Sequence, residues 1–168
     1  MYKITNQITN NGFCFSPLSK IVDKENNCQR FNTLDFFCIL LTAENISLKI
    51  EDELHHIDSG KTIFVGPEKT IELPNNTEAK DFYIIAFSEH FYNSPTKNSI
   101  LLDSGIFFNQ LSPIFIVPNF DYNKRNKVVL IERLLKFYQK EKSIFKMLAH
   151  NTVENLLLDA YLHIKTST

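Results

Sequence analysis

The sequence predicts a mainly β domain followed by two helices, and two features of its 168 residues carry that prediction. Between Phe31 and Val117, short apolar runs recur with a period of two and are separated by turn residues. After Pro118-Asn119 the apolar spacing changes to three and four, the period of one face of a helix. With 43% hydrophobic and 12% aromatic residues, and 15 phenylalanines, the chain can bury a real core.

The elements follow in order. The first thirty residues form an arm with one or two short strands, around FCF (13–15) and LSKIV (18–22). DFFCILLT (35–42) and ISLKI (46–50) are strands, and the polar Ala-Glu-Asn break between them reads as a hairpin turn. In ISLKI the apolar Ile46, Leu48 and Ile50 alternate with Ser47 and Lys49. ELHHI precedes a Ser59-Gly60 turn, KTIFV follows it, and TIEL comes after Pro67. DFYIIAFS (81–88) is the strongest strand, and SPIFIV (112–117) closes the series. Short strands at this spacing predict a sandwich or a barrel.

Residues 123–142 contain no Gly or Pro, and Val128, Ile131, Leu134, Leu135 and Tyr138 mark one helical face. A second helix is predicted over 144–164, after a link at Glu141-Lys142-Ser143. Its Leu156-Leu157-Leu158 run makes it more apolar than a surface helix needs, so one face is left wanting a partner. The domain boundary falls between 1–118 and 119–168, with no internal repeat.

The net charge of −1 and the pI of about 6.5 give no basic excess for nucleic-acid binding. No apolar run approaches the roughly 18–20 residues that span a bilayer. The polar start MYKITNQITNNG lacks the apolar core of a signal peptide, so the chain reads as cytoplasmic. Cys14, Cys28 and Cys38 are odd in number and lack C-x-x-C spacing, which favours reduced thiols.

Candidate chemistry is sparse. His55 and His56 are adjacent on a strand, so they point to opposite faces and cannot both reach one metal. One is expected half buried and the other in solvent. No H-x-H, H-E-x-x-H or Cys/His cluster occurs, and no metal ligand is assigned. Glu51-Asp52-Glu53 is a charge run at a turn, while Lys124, Arg125 and Lys127 open a helix as a solvated basic face. G-x-S-x-G, P-loop and G-x-G-x-x-G patterns are missing, so no catalytic residue and no cofactor are assigned and the chain is not read as an enzyme.

Two stretches carry a family resemblance. DFFCILL followed by ISLKIEDELHHIDSGKTIFVGP resembles the strand-turn-strand run, ending in Gly and then Pro, of AraC/XylS-type transcription regulators. DFYIIAFSEHFY resembles that family's apolar-x-Phe-Ser-x-x-Phe segment at 86–91. With the two terminal helices, the resemblance covers roughly residues 30–164. It implies a cupin-like (double-stranded β-helix) barrel followed by an antiparallel helical hairpin. The barrel would sense a small-molecule effector, and the helices would form a homodimer. DNA would be contacted only through a C-terminal helix-turn-helix part that these residues do not contain, and the natural protein is expected to continue past Thr168.

Registered on this family, the metal positions of cupins fall on Asn32, Leu34, Cys38 and the neighbourhood of Thr70-Ile71, none of which supplies the metal-binding residue. The same registration points Phe36, Cys38 and Leu40 into the barrel, and the DFYIIAFS strand adds alternate residues, Tyr83 or Ile84. These are the candidate pocket residues; the alternative is an interior packed solid with phenylalanine. The dimer seam is expected on the second helix, at Val153, Leu157, Ala160, Tyr161 and Ile164. Two other readings stand beside the regulator: a stand-alone small-molecule-binding cupin and a metal-dependent cupin enzyme.

Overall fold

The computed structural model describes residues 2–3, 12–18, 29–42, 44–73, 82–93, 101–102, 104–108, 112–118, 128–137 and 142–166. They belong to two compact units, residues 1–116 and 117–168.

The first unit is built from two five-stranded sheets. One has the order β1 (Tyr2–Lys3), β3 (Gln29–Asn32), β8 (Thr70–Leu73), β5 (Ile46–Ile50), β6 (Glu53–Ile57). The other has the order β10 (Ile114–Pro118), β7 (Lys61–Val65), β4 (Phe37–Thr42), β9 (Phe82–Phe87), β2 (Phe13–Pro17). Pairing is antiparallel in the registers defined for β2 to β9, and parallel between β1 and β3.

The two sheets differ in how their strands are buried. β5 buries Ile46, Leu48 and Ile50 and turns Ser47 and Lys49 outward, the pattern of a sheet with one wet face. β4 is buried at all six positions, and β9 at every position but Tyr83. Strands apolar on both sides belong in a layer covered on both sides. This corrects the expected hairpin between DFFCILLT and ISLKI. β4 pairs with β7 and β9 in the second sheet, while β5 crosses to the first and pairs with β6 and β8. The local turn geometry survives, since the Glu44 amide donates to Thr42 Oγ1 at 3.0 Å.

The true hairpin is β5–β6, closed by Glu51 and Asp52 with φ of 51° and 66°. Two consecutive positive φ values give the right-handed twist that a two-residue loop needs. Gly60, at φ 77°, supplies the turn that carries the chain from β6 into β7.

The outer face of the first sheet is held by cross-strand polar pairs. Asn32 Nδ2 donates to Thr70 Oγ1 at 3.0 Å, Ser47 Oγ and His56 Nδ1 lie 2.7 Å apart, and Arg30 Nε is 3.4 Å from Glu72 Oε2. The outer face of the second sheet carries an aromatic layer instead. Phe37 meets Phe107 edge-on at 4.9 Å and stacks on Phe87 at 5.7 Å, and Phe13 lies 5.1 Å from Phe91. Phe91 and Tyr92 enter this layer from α1 (Glu89–Tyr92), a single turn capped by Ser88, whose Oγ accepts the Phe91 amide at 3.1 Å.

The second unit contains α2 (Val128–Phe137) and α3 (Lys142–Thr166). The two touch, with Arg133 Nη2 donating to Asn151 Oδ1 at 3.3 Å. Ile131 and Leu134 of α2 are buried, as are Ala149, Val153, Leu156, Leu157 and Ala160 of α3. Among the described residues no helix is long and apolar enough to cross a membrane.

Candidate ligand site between the sheets

The two sheets enclose one apolar cluster. The first contributes Phe31, Ile46, Leu48, Ile50, Ile57, Ile71 and Leu73, and the second Cys14, Cys38, Leu40, Ile63, Val65, Phe82, Ile84, Ala86 and Ile114. Of the described phenylalanines, Phe31 and Phe82 lie in this cluster and Phe36 packs at its margin. Phe13, Phe37, Phe64, Phe87, Phe91 and Phe107 occupy the opposite side of the second sheet. The aromatic mass of the unit is therefore outside the enclosed face.

Register resolves the enclosed face into rows. Cys38 pairs with Val65 on one side and Ala86 on the other, and Ala86 pairs with Cys14. The row Val65–Cys38–Ala86–Cys14 is thus made of small side chains. The next row, Ile63–Leu40–Ile84–Ser16, is larger. Both cysteines are free and buried. Burial pushes the Cys14 thiol up to about 11, and burial together with the nearby Cys14 raises Cys38 as well, so both are neutral thiols, inert at ordinary pH. Cys28 lies outside the described residues.

Of the candidate pocket residues, Cys38, Leu40 and Ile84 stand in the enclosed cluster and Phe36 at its edge. Tyr83 does not join them. It alternates with Ile84, faces the other side of the second sheet and stacks on Phe15 at 5.5 Å. The four registered cupin metal positions do not converge either. Asn32 and Thr70 bond each other on the outer face of the first sheet, Leu34 sits in a turn at φ 51°, and Cys38 points inward from the second sheet. Among the described residues no group of three or more His, Cys, Asp or Glu is placed to hold a metal ion.

Of the expected dimer-seam residues, Val153, Leu157 and Ala160 are each 0% exposed within a single chain. Tyr161 and Ile164 are partly buried. The exposed apolar residues of α3 are Ile144, Met147, Leu158 and Leu162, on a different face. α3 is apolar on both faces, so periodicity alone did not separate the buried side from the exposed one.

One polar residue reaches the margin of the enclosed face. On β6, His55 lies opposite Leu48 and two residues from Ile57, with its side chain 16% exposed, while His56 points outward to Ser47. His55 Nε2 is buried without a hydrogen-bond partner, and Glu53 Oε2 lies 3.8 Å away. Alternation put one of the two histidines half inside without deciding which, and nothing in the sequence signalled that the His55 ring nitrogen would be unsatisfied.

No protein-family model and no curated protein matches the chain. Among solved structures, the chain is similar to apo ToxT K231A from Vibrio cholerae strain SCE256, at 8% identity and a TM-score of 0.43, covering 86% of this chain and 55% of that one. Its structural neighbour ToxT is a regulator of the AraC family. ToxT from Vibrio cholerae O395, solved bound to (E)-4-(8-methylnaphthalen-1-yl)but-3-enoic acid, is similar at 14% identity and a TM-score of 0.42, over 89% of this chain and 58% of that one. The chain thus spans little more than half the length of either ToxT chain. Likeness at this level leaves the functional reading to the chain's own residues.

Proposed function

We propose that this chain is the effector-sensing and dimerisation part of an AraC-type transcription regulator. A small, largely apolar molecule binds between the two sheets. Its binding shifts the population of homodimer arrangements, provided that it has different affinity for them. DNA contact belongs, in this reading, to a helix-turn-helix part outside these 168 residues. The dimer surface is the exposed apolar face of α3 around Met147, Leu158 and Leu162. The protein works without catalytic residues, metal or cofactor.

The observation that carries the reading is the division of side-chain size between the two faces of the second sheet. Most of the described aromatic residues are stacked outside, and the enclosed face carries a Val-Cys-Ala-Cys row flanked by branched aliphatics. On this reading the small apolar side chains inside the closed layer are where a ligand of the same polarity is accommodated. The Gly-Pro-ended strand run and the Ser88-capped Phe-Ser-x-x-Phe turn add the family resemblance to this geometry.

Ala86→Val tests it. The added methyl groups enter the row between Cys14 and Cys38. If the row borders open space, the variant keeps its thermal midpoint and loses the midpoint rise that small apolar compounds give the wild type. If the row is already filled, overpacking costs about 1–3 kcal/mol and the midpoint falls. That outcome removes the enclosed site.

A further inference from the structure

We infer that His55 and Glu53 form a polar anchor for a hydroxyl group at the margin of the enclosed face, so that the molecule held there is an apolar body carrying an alcohol or phenol. The inference rests on the enclosed-site reading and adds the chemistry of its ligand.

β6 is the end strand of the first sheet, and its inward positions are Glu53, His55 and Ile57. Their partners on β5 are Ile50, Leu48 and Ile46, all buried. The strand thus runs from an exposed carboxylate, through a mostly buried imidazole, to a buried aliphatic residue. A buried ring nitrogen with no partner is costly, and such groups are generally satisfied by something. Nothing among the described residues satisfies His55 Nε2. Glu53 Oε2, at 3.8 Å, is too far for a direct hydrogen bond. A single oxygen at about 2.8 Å from each atom spans that gap.

The two groups define what the oxygen must be. The Glu53 carboxylate only accepts, and His55 as its Nε2–H tautomer donates. The bridging group must therefore donate one hydrogen bond and accept another, which a hydroxyl does. A carboxylate ligand has no hydrogen to donate, and it would meet Glu51, Asp52 and Glu53 together at this end of the hairpin. An ammonium has no lone pair for Nε2–H. The apolar remainder of the molecule lies along Leu48 and Ile57.

The test uses 4-hexylphenol, which can donate, beside 4-hexylanisole, which cannot, with binding to the 168-residue chain followed by calorimetry. The phenol is expected to bind about tenfold more tightly than the anisole, because the anisole leaves Glu53 without its donor. In Glu53→Met that preference falls to near parity while anisole binding is kept, whereas His55→Phe weakens both compounds, because each oxygen loses the Nε2–H donor; Glu53 is exposed, so its variant reports even if His55→Phe does not fold. Histidine-ring NMR adds a second readout, a shift of the His55 Nε2 resonance when the phenol binds. Equal binding of the two compounds by the wild type overturns the anchor and leaves the enclosed site standing. Binding of neither overturns both.

Discussion

Thr33 donates its hydroxyl hydrogen to the Gly66 carbonyl oxygen at 3.0 Å, fastening the turn that enters β4 to the turn that leaves β7. The same hydroxyl accepts the Lys69 amide at 2.9 Å, and the Thr33 amide donates to the Lys69 carbonyl at 2.9 Å. Thr33 is fully buried, so these bonds have no solvent to fall back on. Thr33→Val keeps the shape and leaves the Gly66 carbonyl and the Lys69 amide unpaired. It is expected to lower stability by about 1–3 kcal/mol in urea titrations. Unchanged stability would show that water replaces the hydroxyl.

The buried thiols predict an alkaline weakness. Burial on folding pushes the Cys14 thiol up from 9.0 to about 11, and Cys38 is displaced in the same direction. The native state therefore holds protons that the unfolded state releases. Their contribution is complete below pH 9 and is lost as pH rises from 9 through 11 and beyond, by up to about 1.4 kcal/mol per pH unit for each thiol. Urea midpoints measured across this range should fall more steeply for the wild type than for the Cys14→Ala/Cys38→Ala variant. Parallel pH profiles would mean that the thiols reach water in the folded protein.

Charge substitutions on α3 separate its two faces. Leu157 is 0% exposed and Met147 is 72% exposed. Leu157→Lys buries an unpaired ammonium and is expected to abolish the cooperative thermal transition. Met147→Lys should leave circular dichroism unchanged and, on the dimer reading, move the sedimentation coefficient from dimer to monomer. A Met147→Lys protein that still sediments as a dimer would place the dimer contact elsewhere.

Much of the β architecture was legible because a period of two is hard to mistake. ISLKI, ELHHI, KTIFV and TIEL coincide with β5, β6, β7 and β8 to the residue. What alternation does not encode is which sheet a strand joins. Ala-Glu-Asn looks like a hairpin loop, yet the chain changes sheets there, because β4 needs cover on both faces and β5 on one. The same ambiguity left Tyr83 and Ile84 undecided, since both are apolar enough to face inward. β3 and α1 escaped notice for a different reason. Each is four residues long, too short to establish a period, and is fixed by a partner: the β8 ladder for β3 and the Ser88 cap for α1. On α3 the Leu156-Leu157-Leu158 run hid the boundary between the buried face and the exposed one.

The double covering of the second sheet also determines how freely the sequence can drift. In the first sheet every other position faces water, so β5 can exchange Ser47 or Lys49 without disturbing its neighbours. In β4 and β9 the intervening positions are occupied too, by Phe37, Ile39, Leu41, Ile85 and Phe87, and a change there meets packed atoms on whichever side it falls. A saturation library of this chain should therefore show a striped tolerance along β5 and an unbroken band of intolerance along β4. Related sequences that keep the fold would diverge fastest on the polar pairs of the outer sheet and slowest in the middle layer.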